Sequence, residues 1–342
     1  MSAQHSNASC LRAANVLLRE HFCTKPGENV VLTTDENSDT DLVRALVDTA
    51  TALGTRACVL SMPRLPFQGS LSDPYIPSPV EAAVINSDVW LDLTFPYMAG
   101  SGAFDRAMEH KRTRYLLIGD TSAAGFGRLY GSVNFDALFD LQEAADGFIR
   151  NAEGRHGRVT SAAGTDFTFV IGRPATRKDR RATQPGAQTI PGSAIFYPEL
   201  ETVKGKIVLE AAFHEYYTPL REPLVLEVDG QIRSVSGGSA AKVMDRALRR
   251  AGGGEYGKVI HLTMGLSPGA ASTGRSFMED IRVIGCNAIG FGLPWWLPGG
   301  GENHPDGVVT NQSLWIGDQL IVENGLPTPA APFSAEFEKL VS

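Results

Sequence analysis

Three residues in the C-terminal half have the types and the spacing to hold a metal ion: His261, His304 and Asp306. The last two lie in the segment Gly299-Gly300-Gly301-Glu302-Asn303-His304-Pro305-Asp306-Gly307. Residues at i and i+2 project to the same side of an extended chain, but about 200° apart on a helix. Pro305 fixes its own φ and disfavours helix at His304, and the flanking glycines remove what helical preference is left. His304 and Asp306 should therefore aim at one point, as two ligands of one ion must.

His261 belongs to the run Lys258-Val259-Ile260-His261-Leu262-Thr263-Met264-Gly265, which is apolar enough for an inner strand. Alone, a histidine there reads as a hydrogen-bonded core imidazole. Joined to the His-x-Asp loop, it completes a set of two imidazoles and one carboxylate with no thiol. Non-haem Fe(II) enzymes use that set and leave three coordination positions open for substrate and dioxygen. Zinc also accepts two histidines and a carboxylate. Ligand type thus ranks Fe(II) first and leaves zinc and manganese open.

Two further readings attach to this centre. Trp295 and Trp296, in the same loop region, can stack on a planar substrate, or else serve as core or interface aromatics. His214, in Phe213-His214-Glu215-Tyr216-Tyr217, closes the strand-like run Ile207–Ala212. It is either a catalytic proton-handling group beside the substrate or a surface histidine at a strand end. His5, His21, His110 and His156 stand in polar or terminal contexts and are given no role.

The elements that must position these residues fall into two kinds. In the first part, apolar runs at Asn29–Thr33, Arg56–Met62, Val89–Thr94 and Tyr115–Gly119 alternate with helical patterns at Leu11–Phe22 and Asp39–Leu53, the latter capped at Ser38. Strands alternating with helices imply a mostly parallel sheet buried on both faces. Gly100-Ser101-Gly102 reads as a glycine turn before a helix, because position 105 is Asp and the dinucleotide fingerprint is incomplete. A helix from Asp140 to Glu153 leads out of this region. Beyond it, hairpin signals at Ala163-Gly164-Thr165, Asp229-Gly230 and Glu323-Asn324-Gly325 announce antiparallel strands, with helices at Ser239–Arg250 and Ser276–Ile284. The expected layout is an α/β N-terminal domain over residues 1–155, followed by an α+β metal-binding catalytic domain over residues 156–342.

Composition narrows the partners. The 342 residues carry a formal net charge of −7, so no basic stripe exists to neutralise a nucleic acid. The densest basic run, Arg173–Arg181, reads as a solvated loop. Cys10, Cys23, Cys58 and Cys286 have neither CxxC nor zinc-ribbon spacing and read as reduced thiols. No stretch approaches the roughly 20 apolar residues of a membrane span, and Met1–Asn15 lacks an apolar signal core. A cytoplasmic protein, assembled as a homo-oligomer, is the expectation.

At these residues the chain resembles a known group. The progression Gly164-Thr165-Asp166, Pro191-Gly192-Ser193-Ala194, His261-Leu262-Thr263-Met264-Gly265-Leu266-Ser267-Pro268 and His304-Pro305-Asp306 is similar to the C-terminal half of the thermophilic-type (M29) metallo-aminopeptidases. It is more similar still to their relatives, the 2,5-dihydroxypyridine 5,6-dioxygenases, and the resemblance runs from about residue 11 to residue 326. The peptidases carry a metal-binding Glu where this chain has Ala194, and another where it has His261. Loss of two carboxylates leaves too little negative charge for a two-metal cluster, and a His replacement suits a single Fe(II). The dioxygenase branch in turn has a serine near the metal, in the region aligned with Ala288–Phe291, and further histidines whose counterparts are missing around Tyr97 and Gln188. The resemblance implies ring-cleaving (extradiol-type) oxygenation of a hydroxylated pyridine or similar aromatic ring, with dioxygen as co-substrate. The alternatives are a metal-dependent aminopeptidase or amide hydrolase, and a binding protein on a degenerate peptidase scaffold.

Overall fold

Strands and helices occupy comparable shares of the described residues. The computed structural model describes residues 3–172, 180–214, 216–294, 297, 300 and 304–342. In chain order the first strands are β1 (Asn29–Thr34), β2 (Arg56–Ser61), β3 (Val89–Asp92), β4 (Arg114–Leu117), β5 (His156–Thr160) and β6 (Asp166–Val170). Next come β7 (Gly186–Thr189), β8 (Ser193–Phe196), β9 (Lys204–Phe213), β10 (Tyr217–Asp229), β11 (Ile232–Ser236) and β12 (Lys258–Gly265). The last are β13 (Cys286–Gly292), β14 (Asp306–Thr310), β15 (Ser313–Ile316), β16 (Gln319–Glu323) and β17 (Leu326–Pro327). The α-helices are α1 (Ala3–Asn15), α2 (Thr40–Ala52), α3 (Ser78–Ile85), α4 (Gly102–Glu109), α5 (Ala123–Gly131), α6 (Phe135–Asn151), α7 (Ala241–Ala251), α8 (Phe277–Asp280) and α9 (Ser334–Val341).

Two compact units result. The first comprises residues 1–133, 178–191 and 269–271; the second comprises 134–177, 192–268 and 272–342. The sequence reading divides the chain after residue 155, whereas α6 already falls in the second unit and β7 returns to the first.

The first unit holds a five-stranded sheet of order β2-β1-β3-β4-β7, parallel throughout. Three local expectations are corrected here. Asp39, not Ser38, caps α2: its carboxylate accepts from the backbone N–H groups of Asp41 and Leu42 and, with its other oxygen, from that of Ala123. Ser38 is used elsewhere, donating to the Leu93 carbonyl. Arg56–Ser61 is not a buried-type strand but the sheet's edge, with Arg56, Cys58, Val59 and Ser61 exposed. The helical run expected over Leu11–Phe22 becomes α-helix to Asn15 and π-helix over Val16–His21.

At the end of β3 the buried Asp92 accepts from the Thr33, Thr94 and Tyr115 hydroxyls and from the Thr94 and Met98 backbone N–H groups, at 2.6–3.1 Å. Burial pushes its carboxyl up from the usual range, and these donors pull it back. Its acceptor positions are thus spent on the fold. Ser101 caps α4 through the Phe104 N–H, in keeping with a glycine turn before a helix.

The second unit is built on a twelve-stranded sheet whose pairings are antiparallel. Its main path runs β17-β16-β15-β5-β6-β9-β14-β13-β12-β8, and β10 lies along the other edge of β9 and pairs with β11. The three hairpin signals fall at β5–β6, β10–β11 and β16–β17. At the last, Asn324 and Gly325 take φ of 47° and 85°, the left-handed pair a tight two-residue hairpin requires. One face of the sheet packs its core against α6, α7 and α9, with Phe148, Leu248, Leu262, Met264, Ile289, Phe291 and Phe333 among the buried residues. The helix expected over Ser276–Ile284 shrinks to α8, because the chain turns after Asp280 to bring Val283 alongside Ser267. Arg173–Arg181 falls largely outside the described residues.

Candidate metal centre

His261 reaches the centre through a break in strand alternation. In a regular strand, Val259 and His261 would share a face. Val259 pairs with Phe291 while His261 pairs with Gly290, so β12 carries one extra residue, Ile260, between two consecutive partners. Such a bulge re-aims side chains. Val259, Leu262 and Met264 keep the core face, and His261 and Thr263 turn to the other.

Asp306 arrives from two strands away. Register across the sheet runs His261–Gly290–Asp306–Phe213–Tyr217, a single row on β12, β13, β14, β9 and β10. Residues in one row share a face, so the His261 imidazole and the Asp306 carboxylate stand on the same side. His304 stands two residues before Asp306, the first residue of β14, and the carbonyl of Pro305 between them accepts the Phe291 N–H at 2.9 Å.

The three side chains converge. Each oxygen of Asp306 faces one imidazole: Oδ1 lies 3.3 Å from His261 Nε2, and Oδ2 lies 3.3 Å from His304 Nε2. One ligand atom from each residue falls within 4.8 Å of the other two. The imidazole rings stand nearly perpendicular, at 80°, with centroids 5.8 Å apart. Thr263 Oγ1 lies 3.3 Å from His261 Nδ1, which leaves Nε2 directed at the centre. Asp306 is buried, and its side chain is only 3% exposed, against 12% for His261 and 15% for His304. Burial alone would raise its carboxyl, but the charge of His304 and the hydrogen bonds from both imidazoles outweigh it and hold the pKa down to about 2.

This donor set fits a divalent transition ion. Ligands on one triangular face of an octahedron, each about 2.1 Å from the ion, stand about 3 Å apart. Two neutral imidazoles and one carboxylate compensate one of the ion's two charges. Among the described residues, this is the one group of three or more His, Cys, Asp or Glu side chains with metal-binding proximity.

Not every sequence-based candidate joins it. His214 follows Phe213, the residue in register with Asp306, but lies outside the three-residue cluster. It is 3% exposed with its ring edge-on to Tyr216, so it is not a surface histidine. Trp295 and Trp296 lie outside the described residues. Sequence reasoning missed the buttress on the far side of Asp306. Asp280 accepts from the Thr273 N–H and hydroxyl and the Gly274 N–H at 2.7 Å, and from the Tyr217 hydroxyl at 2.8 Å. Phe277 packs against both Phe213 and Tyr217, with centroids 5.1 and 5.5 Å away. No spacing pattern announces that group, because its members meet only through the sheet.

Comparison with known proteins bears on the fold and the family. A structure of 2,5-dihydroxypyridine dioxygenase from Pseudomonas putida KT2440 superposes with a TM-score of 0.73 at 16% identity, covering 97% of this chain and 99% of that one. Wild-type AmpT from Thermus thermophilus gives a TM-score of 0.64 at 12% identity over 94% of this chain and 99% of that one. At those identities the likeness is one of fold. No curated protein sequence gives a significant match. The family model described as NicX, 2,5-dihydroxypyridine 5,6-dioxygenase, matches residues 18–292. The chain therefore belongs to the NicX family, 2,5-dihydroxypyridine 5,6-dioxygenase, and is a ring-cleaving dioxygenase.

Proposed function

We propose that the protein is a mononuclear non-haem Fe(II) dioxygenase that opens a hydroxylated pyridine or a similar electron-rich aromatic ring, with His261, His304 and Asp306 as the metal ligands. The observation that carries this reading is the convergence of two Nε2 atoms and one carboxylate, each imidazole 3.3 Å from its own carboxylate oxygen. A ferrous ion held by His261, His304 and Asp306 would supply the redox centre through which dioxygen and an electron-rich ring react.

The chain's own groups do the rest. The flanking imidazoles hold the buried Asp306 carboxyl below the usual carboxylate range, so it is ionised and available as a ligand at neutral pH. Thr263 fixes the orientation of His261 through Nδ1. We assign His214 to proton handling beside the substrate, because it is buried one residue beyond the row that holds Asp306. Trp295 and Trp296 are assigned to stacking on the planar ring. Residues 156–342 would form the catalytic half, in a cytoplasmic homo-oligomer. No helix among the described residues is long and apolar enough to cross a membrane.

Oxygen uptake by anaerobically prepared, iron-loaded protein should follow addition of a hydroxylated pyridine. Chelation should abolish it, and ferrous iron should restore it. Turnover of a peptide or cyclic amide by zinc-loaded protein under strict anaerobiosis would replace this reading with the hydrolase.

A further inference from the structure

We infer that Gly290 is a positioning residue of the metal centre: the space left by its missing side chain is the path by which the His261 imidazole reaches Asp306. The inference rests on the ligand assignment above and explains how two residues on non-adjacent strands meet. Neighbouring strands stand about 4.8 Å apart, so the Cα atoms of β12 and β14 in one row are separated by about 10 Å. His261 Nε2 nevertheless lies 3.3 Å from Asp306 Oδ1. The ring must cross over the strand between them, and the residue in register with both is Gly290.

A Cβ placed on Gly290 would fall 2.1 Å from His261 Nε2, 2.4 Å from Cδ2 and 2.8 Å from Cε1. All three nearest atoms belong to the imidazole, and all three separations are below any real van der Waals contact. The backbone supplies no reason for a glycine, since Gly290 is absent from the residues with positive φ, whereas Gly285 and Gly292 on either side take φ of 86° and 125°. Those two serve the chain's path. Glycine inside a strand otherwise weakens it, and marks places where another group must come close. In the adjacent row on this face, Thr263–Ala288–Val308, no metal ligand crosses β13, and the same strand carries an alanine.

The clash falls on the movable end of a side chain. A methyl group at position 290 would therefore swing the His261 ring aside, breaking its contact with Thr263, and leave the sheet's hydrogen bonds in place. The cost should appear in metal affinity more than in folding.

Co(II), whose visible absorption reports its coordination, is the probe. Metal-free wild type, Gly290→Ala and His261→Ala would be titrated with Co(II), and their thermal melts followed by circular dichroism. Gly290→Ala should melt within a few degrees of wild type, bind Co(II) roughly 10–100-fold more weakly, and show an altered visible band. Wild-type Co(II) affinity and spectrum in Gly290→Ala would overturn the inference. Should Gly290→Ala fail to fold, the double variant Gly290→Ala/His261→Ala decides. Recovery of folding assigns the conflict to the imidazole, and continued failure means that the glycine serves the sheet. Failure of the ligand assignment itself looks different: His261→Ala would then bind Co(II) as wild type does, and the inference would fall with it.

Discussion

Replacement of Asp306 by Asn is the sharpest perturbation of the proposed centre, because it keeps the side chain's shape and removes its charge. The carboxylate is buried and bridges both imidazoles, and its pKa is lowered from 3.8 to about 2. A tenfold change in acidity corresponds to about 1.4 kcal/mol, so the folded protein prefers the ionised form by roughly 2–3 kcal/mol. For a carboxyl with a depressed folded-state pKa, that stabilisation is complete above the unfolded value near 4 and is lost as pH falls through about 2. Urea melts of metal-free protein at pH 5 and pH 2 provide the test. Asp306→Asn should be less stable than wild type by roughly 2–3 kcal/mol at pH 5, and the difference should close by pH 2. The same variant should also lose iron, because a neutral amide is a poor substitute for the sole carboxylate of the cluster. A variant that tracks wild-type stability at both pH values and retains its iron would refute the reasoning.

His261→Ala should likewise lose metal, whereas His214→Ala should keep its iron and turn over about 10²–10⁴-fold more slowly, measured as iron content and oxygen uptake. Iron loss in His214→Ala would make His214 a ligand, and full activity would leave it a strand-end residue. In the first unit, His21 is buried beside the Tyr130 hydroxyl, with its pKa pushed down to about 3 by burial. Between the ordinary value near 6.5 and that lower limit the unfolded chain binds the extra proton, so stability should fall by up to about 1.4 kcal/mol per pH unit on acidification. His21→Gln should flatten that slope in urea melts run from pH 6.5 to 4, and an unchanged slope would place the acid sensitivity elsewhere. Metal analysis at saturation should give one ion per chain.

Local periodicity carried most of what was legible in the sequence. The run around His261 is bounded as the apolar pattern implies, Lys258–Gly265, and Asn324-Gly325 turns a hairpin because its two residues accept positive φ. His304 and Asp306 could be paired from spacing and Pro305 alone. Whatever depends on neighbours across the sheet could not be read. The bulge at Ile260 reverses the face of His261 relative to Val259, and no residue near it signals an extra position. Gly290 looks like any glycine in Asn287-Ala288-Ile289-Gly290-Phe291-Gly292 until the strands on both sides are in register. The Asp39 cap was missed because its neighbour Ser38 is an equally good capping residue, and the choice depended on Ala123 and Leu93, more than 50 residues away in sequence.

The sheet also bears on whether the proposed centre holds one ion or two. The aminopeptidase resemblance sets a carboxylate against Ala194, yet Ala194 pairs with Met264 and packs in the core, on the face away from His261. The residue of β8 that shares a face with Thr263 and His261 is Ile195, which is in register with Thr263 and is apolar as well. The absence of a peptidase-type carboxylate therefore does not hinge on one aligned position, since neither neighbouring position on β8 offers one. Among the described residues, Asp306 is the sole carboxylate of the cluster. Two divalent ions beside a single carboxylate would leave three uncompensated positive charges at a largely buried site, and paired-metal centres depend on anionic oxygens to hold their ions together. One ion leaves a single positive charge, suited to an ionised hydroxyl of an aromatic substrate. On the proposed assignment, the same charge count that disfavours a two-metal hydrolase leaves one positive charge for the substrate to meet.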